Sequence, residues 1–282
     1  KIQKEEIQMR NLKRALSLAL AAIMLIGMMV VSASAVSYND LTDKDQIVNK
    51  DAVSMLVSLG IIEGKPDGSY GPTENVDRAQ MAKMLSVIMN KGVDNSALYQ
   101  SVNSGLVDVN TNWAKGHINY CYTTGIIAGR GNGKFDPSAT VTALEAAKML
   151  LVAVGYDPAI EGFEGADWAI NVSVRADEQG IFEGFTKDLS APLNRDDAAL
   201  LIYNALDVEM IQSYTTNNYP IVYSDHRTIL SDKYGVIKVE GVVTANEWAI
   251  LDDDTDTALQ EGKTRIYNPD GILSTTGNTA VA

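Results

Sequence analysis

The chain has 282 residues and a formal net charge of −13 at pH 7, and 46% of its residues are hydrophobic. Such acidity argues against binding to nucleic acid or to anionic lipid, because both need a cationic protein surface. Cys121 is the only cysteine. An internal disulfide is therefore excluded, and we expect this thiol to be buried as a small hydrophobic group.

The first 35 residues have the layout of a secretory signal peptide. A basic start with Arg10 and Arg14 precedes an apolar run over 15–31 and a small-residue cleavage motif at 33–35. The alternative for the apolar run is a transmembrane helix, but the cleavage motif and the polar sequence after it favour removal. The first 35 residues have five basic and two acidic side chains. The mature chain therefore has 18 basic and 34 acidic ones, a formal charge of −16. Without a disulfide, such an exported chain is typical of a bacterial surface.

One sequence pattern occurs three times, and its occurrences are called copies 1, 2 and 3. Each contains a Gly-Ile-Ile/Phe-x-Gly turn, at 60–64, 125–129 and 180–184. A proline follows the first glycine of each turn by 12 residues, at Pro72, Pro137 and Pro192. Apolar residues at helical spacing lie on both sides of each turn. The sequence thus predicts three helix–loop–helix repeats, each too small to bury a core alone, that pack around a shared centre.

The second helix of each copy is predicted to begin with a capping pair. The pairs are Asp77 with Gln80, Thr142 with Glu145, and Asn194 with Asp197. The first helical residue is Arg78 in copy 1 and Arg195 in copy 3, where a cation opposes the helix dipole. One interpretation is an anion site made by the guanidinium and the free N–H groups of the helix start. The other is that each arginine pairs with a nearby acid or packs along the surface.

These motifs resemble S-layer homology domains from about Tyr38 to Leu206. Copy 2 is the clearest, with Val107-Asp108, Trp113-Ala114, the turn at 125–129, Phe135, Pro137 and the helix start at 141–145. The resemblance implies a mainly α fold, a pseudo-threefold bundle of three helix–loop–helix repeats at 36–92, 104–157 and 164–210, with ligand grooves between neighbouring repeats. It also implies that a secreted bacterial surface protein is anchored non-covalently to the cell wall through an anionic, pyruvylated secondary polysaccharide.

The resemblance also implies a set of glycan-binding residues. The arginines that meet the acidic sugar would be Arg78 and Arg195, with Asp77, Thr142 and Asn194 beside them. The groove tryptophans would be Trp113 and Trp168, and the early aspartates Asp40 and Asp108. For the tryptophans, a core position is the alternative.

The chain departs from the family pattern in each copy. Copy 1 has Val48 at the tryptophan position, copy 2 has Ala143 at the arginine position, and copy 3 lacks the Asp-Gly-x-aromatic turn. The sequence therefore leaves open how many grooves bind a ligand.

From Ile211 the pattern changes to short runs with β-type composition. They lie at 221–223, 235–239, 241–245, 248–251 and 264–267. We expect residues 211–282 to be the start of a small β domain or stalk, and the chain to be a fragment of a longer protein.

The sequence patterns do not indicate catalysis, a cofactor or a metal site. His117 and His226 are the only histidines and have no cysteine cluster, and the Asp-x-Asn-x-Asn run at 108–112 lacks later EF-hand ligands. We therefore predict a non-enzymatic anchor. An alternative is the anchor of a polysaccharide-degrading or wall-remodelling enzyme whose catalytic domain lies beyond residue 282. A third is a subunit that self-assembles in a surface layer.

Overall fold

The computed structural model describes residues 37–237, 241–246, 248, 259, 263–268 and 271–275, so the predicted signal peptide lies outside the described residues. Within them there are seven α-helices, three short 3-10 helices and five strands. The α-helices are α1 (Lys50–Ser58), α2 (Arg78–Met89), α3 (Lys115–Thr123), α4 (Ala143–Val154), α5 (Trp168–Glu178), α6 (Arg195–Ala205) and α7 (Ile229–Tyr234). The 3-10 helices are Tyr38–Asp40, Lys44–Gln46 and Ser96–Tyr99.

The strands all follow α6, which confirms a mainly helical chain with a small β part. They are β1 (Ile211–Tyr214), β2 (Pro220–Val222), β3 (Val242–Ala245), β4 (Thr264–Asn268) and β5 (Gly271–Thr275). Among the described helices, we find none with the length and hydropathy needed to cross a membrane.

The first helix of each copy ends at the turn glycine. Gly60, Gly125 and Gly180 have φ angles of 71°, 80° and 70°, in the left-handed region that L-residues with a side chain rarely adopt. The chain can therefore reverse within one residue and bury the isoleucine that follows each glycine. These isoleucines are Ile61, Ile126 and Ile181.

The predicted capping boxes at the start of α2 and α4 are present. Asp77 Oδ1 accepts a hydrogen bond from the Gln80 N–H at 2.7 Å, and Thr142 Oγ1 accepts one from the Glu145 N–H at 3.2 Å. The side chains of Gln80 and Glu145 accept from the N–H of their cap residue in return. The local sequence therefore determines where both helices begin.

The third capping pair is only half formed. The Asn194 side chain accepts a hydrogen bond from the Asp197 N–H at 2.8 Å. The Asp197 carboxylate pairs instead with Lys187 Nζ at 2.5 Å. The start of α6 thus has its cap but not the reciprocal bond.

We expect Thr142→Ala to lower the free energy of unfolding by about 1 kcal/mol, because the Glu145 N–H loses its side-chain acceptor. Thr140→Ala, at an exposed threonine two residues earlier, is the matched control and should change it by less than about 0.5 kcal/mol. Urea unfolding followed by circular dichroism measures both. Equal losses in the two variants would contradict the capping role.

The segments that precede α2, α4 and α6 meet in a closed ring of backbone hydrogen bonds. The Val76 N–H donates to the Leu193 carbonyl at 2.9 Å, the Leu193 N–H to the Val141 carbonyl at 2.8 Å, and the Val141 N–H to the Val76 carbonyl at 2.9 Å. All three side chains are buried. The ring joins the three copies of the pattern at one point.

The helices of the three copies also pack in a closed order. The second helix of each copy contacts the first helix of the next one: α2 contacts α3, α4 contacts α5, and α6 contacts α1. One hydrophobic core includes buried side chains from all three copies. It contains the aromatic rings of Tyr70 and Phe135, and Cys121, whose predicted burial is confirmed.

The loop contacts correct the prediction that Pro72, Pro137 and Pro192 occupy equivalent positions in the three copies. The N–H of the second helical residue donates to a loop carbonyl of the following copy, from Ala79 to Pro137, from Leu144 to Leu189, and from Asp196 to Pro72, at 2.9, 3.1 and 3.1 Å. Leu189, not Pro192, therefore takes the place of the two loop prolines in copy 3. The 12-residue spacing from Gly180 to Pro192 does not mark an equivalent position.

The helical body continues past the predicted boundary at residue 211. Strands β1 and β2 form a two-stranded antiparallel sheet, and α7 follows it. Ile211, Ile229 and Leu230 belong to the same core as the three copies, and the Tyr234 hydroxyl donates to the Ile88 carbonyl at 3.3 Å. The sequence patterns did not predict α7.

The remaining strands form a three-stranded antiparallel sheet in the order β3-β4-β5. The strands predicted around 221–223, 241–245 and 264–267 are confirmed to within one or two residues. Residues 235–237 are not a strand, because Gly235 ends α7 in the left-handed conformation. The rest of that predicted run, and most of the run at 248–251, lies outside the described residues.

Candidate ligand-binding groove

Arg78 reaches from the start of α2 into the loop of copy 2. Its Nε donates to the Phe135 carbonyl and its Nη2 to the Ala128 carbonyl, both at 2.8 Å, and the guanidinium lies 4.3 Å from the centre of the Phe135 ring. Burial lowers the pKa of Arg78 to about 10, so the side chain stays charged at neutral pH. Arg78 therefore joins copies 1 and 2.

Arg195 makes the corresponding link from copy 3 to copy 1. Its Nε donates to the Tyr70 carbonyl at 2.8 Å, and its guanidinium lies 4.8 Å from the centre of the Tyr70 ring. The Tyr70 hydroxyl donates in return to the Arg195 carbonyl at 2.6 Å. Both predicted arginines thus stack on the buried aromatic ring of a neighbouring loop.

A groove of about 360 Å³, called groove A, opens beside Arg78 where all three copies meet. Copy 1 supplies Arg78, copy 2 supplies its turn and one face of α4, and copy 3 supplies the segment that leads into α5. The charged and aromatic side chains along it include Arg78, Arg130, Glu145, Lys148, Glu164 and Trp168.

Lys148 and Trp168 lie together on one wall of groove A. Lys148 Nζ donates to the Phe163 carbonyl at 2.5 Å and lies 5.8 Å from the centre of the Trp168 ring. Burial lowers the pKa of Lys148, Glu164 acts in the opposite direction, and the charge of Arg78 adds to the lowering. The wall thus presents an indole face next to a cation.

The other cations of groove A differ in how far they are already paired. Arg130 Nη1 pairs with Glu145 at 2.5 Å. Arg78 Nη1 has no hydrogen-bond acceptor among the residues that the structure describes. A guanidinium has five N–H donors in a planar fork, so Arg78 keeps donors for an acidic group. An aromatic face with such donors suits an anionic sugar.

Two of the nine predicted site residues line groove A, and they are Arg78 and Trp168. Asp77, Thr142 and Asn194 are N-caps, and their side chains bond to the N–H groups of their own helices. These three side chains therefore stabilise helix starts.

The two predicted tryptophans have different environments. Trp168 is partly buried and packs against the core, whereas Trp113 is 58% exposed, with its ring centre 6.4 Å from that of His117. The alternative that both are core residues is therefore wrong for Trp113. Val48, at the same position in copy 1, is 81% exposed.

Asp108 holds the loop of copy 2 in place. Its carboxylate accepts hydrogen bonds from the Phe135 N–H at 2.9 Å and the Asp136 N–H at 2.8 Å. Burial works against ionisation, but these two bonds outweigh it and lower the pKa of Asp108. Asp108 thereby fixes the ring and the carbonyl that Arg78 contacts.

The corresponding aspartate of copy 1 is Asp43, whereas the sequence comparison selected Asp40. Asp43 accepts from the Tyr70 N–H at 2.7 Å and the Gly71 N–H at 2.8 Å. Asp40 is exposed and accepts a hydrogen bond from the Ser37 N–H at 3.0 Å. A constant spacing of 27 residues from aspartate to aromatic residue identifies Asp43 and would have been a usable signal.

Sequence reasoning also missed Lys148. The available signal was that the sixth residue of the second helix is a lysine in copies 1 and 2, Lys83 and Lys148, and a leucine in copy 3. A lysine on a helix is usually a solvated surface residue, so the repetition drew no attention.

Comparison with known proteins identifies two segments of the chain. The model of the S-layer homology domain family matches residues 37–82 and 107–147. The chain is 28% identical over 270 residues to a cell surface protein of Thermoanaerobacter kivui, a match that covers 95% of this chain and 32% of that protein. It is also 32% identical over 111 residues to S-layer protein EA1 of Bacillus anthracis, covering 39% of this chain and 12% of that protein.

An enzyme is also similar to part of this chain. Exoglucanase XynX of Acetivibrio thermocellus is 29% identical over 192 residues, which cover 63% of this chain and 17% of the enzyme. The chain thus spans about a third of the first relative and less than a fifth of the other two. Residues 37–82 and 107–147 match the S-layer homology domain model, and the chain is located outside the cell, in the bacterial cell wall or S-layer.

Proposed function

We propose that this chain anchors a surface protein non-covalently to the cell wall by binding an anionic, pyruvylated secondary polysaccharide in groove A. The observation that supports this most is the composition of the groove, where Arg78, Arg130 and Lys148 gather beside Trp168. The whole chain has a formal charge of −13, so a local group of cations with unused donors favours an acidic ligand at this place.

The proposal includes a pseudo-threefold arrangement of three repeats at 36–92, 104–157 and 164–210. Three features support it: the closed ring through Val76, Val141 and Leu193, the closed packing order of the helices, and the equivalent loop contacts of the second helices. The third repeat lies outside the segments that match the family model, and its support is that Leu189 and Leu193 make the same backbone bonds as their counterparts.

The relatives are consistent with an anchoring role for this chain in either of two kinds of protein. The names of the T. kivui and B. anthracis proteins favour a surface protein in which the residues outside the matched region have a different role. Exoglucanase XynX supports the alternative, in which the chain is the wall anchor of a polysaccharide-degrading enzyme. In both cases we propose that the chain itself is not catalytic. Sequencing the gene beyond the codon for residue 282 separates the two, because only the alternative requires a catalytic domain there.

We expect Trp168→Ala to weaken binding of the full chain to purified cell-wall sacculi by about tenfold or more, because the sugar loses its stacking surface. Ile170→Ala is the matched control, since Ile170 is a 65% exposed apolar residue on the same helix that does not line groove A. Sedimentation with sacculi measures binding, and circular dichroism verifies that both variants are folded.

The same assay on acid-extracted sacculi tests the ligand. If the secondary polysaccharide is bound, extraction removes binding of the unaltered chain. Full binding to extracted sacculi would make peptidoglycan the target and contradict the proposal. A folded Trp168→Ala variant that binds as well as the unaltered chain would exclude groove A as the site.

A further inference from the structure

In copies 1 and 2, the segment that precedes the first helix is hydrogen-bonded to the loop of the same copy. Both segments have the pattern Leu-x-Asp, at 41–43 and 106–108, and both leucines are buried. The middle residue donates its N–H to the loop carbonyl two residues before the buried aromatic ring, at 3.0 Å in copy 1 and 2.8 Å in copy 2. The aspartate accepts from the N–H of the aromatic residue and from that of the residue after it.

The sequence of copy 3 contains no such segment before its first helix. Counted back from Trp168, the positions of the leucine and the aspartate are occupied by Glu161 and Phe163. This part of the chain contacts another side of α5, where Glu161 Oε2 accepts from Arg175 Nε at 3.0 Å and a backbone carbonyl accepts from Asn171 Nδ2 at 2.9 Å. The loop of copy 3 therefore lacks the segment that the other two loops bind.

Three backbone groups in the loop of copy 3 lack the partners that their counterparts have. Leu189 takes the place of the loop prolines, so Lys187, two residues earlier, takes the place of the aromatic residue. The N–H groups of Lys187 and Asp188 and the carbonyl of Phe185 have no hydrogen-bond partner among the residues that the structure describes. In copies 1 and 2, the corresponding three groups bind the Leu-x-Asp segment.

A groove of about 400 Å³, called groove B, opens between this loop and α5. Apolar side chains form much of its wall, and they are Val174, Phe182, Phe185 and Leu189. Val174 is 53% exposed and stands at the position of Asn119 in copy 2. The Asn119 side chain accepts a hydrogen bond at 2.7 Å from Ser104 Oγ, two residues before the Leu-x-Asp segment. Groove B therefore lies where copy 2 binds its own segment.

We propose that groove B binds a segment of a partner polypeptide that has a leucine and, two residues later, an aspartate. The leucine packs on the apolar wall of the groove, and the aspartate accepts from the N–H groups of Lys187 and Asp188. Among the described residues, every Leu-x-Asp segment of this chain is already placed, 41–43 and 106–108 on their own loops and 230–232 in α7. Groove B shares no residue with groove A, so the proposal is independent of the proposed function.

Nuclear magnetic resonance of the full chain with a synthetic peptide tests this proposal. The probe is Val-Asn-Ser-Gly-Leu-Val-Asp-Val-Asn, the sequence of residues 102–110. We expect the amide signals of Lys187 and Asp188 to shift as the peptide is added, because their N–H groups gain an acceptor. The amides of Phe135 and Asp136 are the matched control and should not shift, since Asp108 already accepts from them.

Substitutions in the peptide and in the chain measure the size of the effect. Peptides with Leu106→Ala or Asp108→Asn should bind about tenfold more weakly or worse. In the chain, Val174→Glu should weaken binding of the unaltered peptide by about tenfold or more, because it places a carboxylate in the groove. Ile170→Glu, at a 65% exposed position one turn earlier that does not line groove B, should leave binding unchanged. Circular dichroism verifies that both variants are folded.

Four results would overturn the proposal. The first is that no amide shifts at about 1 mM peptide. The second is that Phe135 and Asp136 shift too, because the peptide then displaces the segment of copy 2, and the third is equal binding by Val174→Glu. The fourth concerns 251–253, a Leu-Asp-Asp run outside the described residues. If only an Asp253→Asn variant of the chain binds the peptide, groove B is filled by this chain itself and not by a partner.

Discussion

Arg78→Ala is expected to lower the free energy of unfolding by about 3 kcal/mol, a large effect for a residue at a helix start. The change removes a buried guanidinium that donates to the Phe135 and Ala128 carbonyls and stacks on the Phe135 ring. The two carbonyls lose charge-assisted hydrogen bonds, and a cavity opens above the ring. Urea unfolding measures the loss.

Arg130→Ala is the matched control, because it removes a guanidinium from the same groove. The Arg130 side chain is 42% exposed and pairs with Glu145 at the surface, so its loss should cost less than about 1 kcal/mol. If Arg78→Ala were as stable as Arg130→Ala, Arg78 would not be a link between copies. Because Arg78→Ala acts on folding, a loss of glycan binding in that variant is not evidence of a ligand contact. Trp168 is the better position for testing binding.

Asp108→Asn is expected to lower the free energy of unfolding by about 1–2 kcal/mol, because a neutral amide replaces a carboxylate that accepts two backbone N–H bonds. Asp43→Asn should have an effect of the same size, since Asp43 makes the corresponding bonds in copy 1. Asp40→Asn is the matched control. It changes an exposed aspartate three residues away and should cost less than about 0.5 kcal/mol. A larger loss of stability in Asp40→Asn than in Asp43→Asn would support the original prediction, in which Asp40 is the counterpart of Asp108 in copy 1.

The pH dependence of unfolding gives the Asp108 prediction a second measurement. The pKa of Asp108 is lowered in the folded chain, so its ionised form stabilises the fold at pH values above the ordinary value of 3.8. That stability is lost as the pH falls through the lowered pKa. Asp108→Asn should therefore lose less stability than the unaltered chain between neutral and strongly acidic pH. Parallel pH profiles of the two proteins would contradict this role.

Local features of the fold could be predicted from the sequence because neighbouring residues produce them. Asp77 and Thr142 cap their helices through N–H groups three residues away, and Gly125 ends a helix through its own φ angle. These interactions span at most one helical turn, so no tertiary contact is needed to form them. The sequence missed α7, whose six residues are too few for a clear helical period and whose burial depends on contact with the core.

Equivalent residues in the three copies could be identified only from contacts between segments that are distant in the sequence. The choice of Asp43 over Asp40, and of Leu189 over Pro192, follows from which carboxylate and which carbonyl meet a backbone N–H of a distant segment. Motif matching has no access to those contacts, since an aspartate or a proline nearby satisfies the same pattern. An offset of three residues is invisible in composition but decisive for a hydrogen bond of about 2.9 Å.

By itself, the sequence determined the number of copies of the pattern, the caps and turns within each copy, and the net negative charge of the chain. Because the chain is so acidic, a local group of cations is unusual on its surface. Only the tertiary structure decided the composition of groove A. Arg78, Lys148 and Trp168 come from three copies, and they meet because the backbone ring and the helix packing close on themselves. The physical reason is range: capping and turns act within a few residues, whereas a binding site requires side chains that only long-range packing brings together.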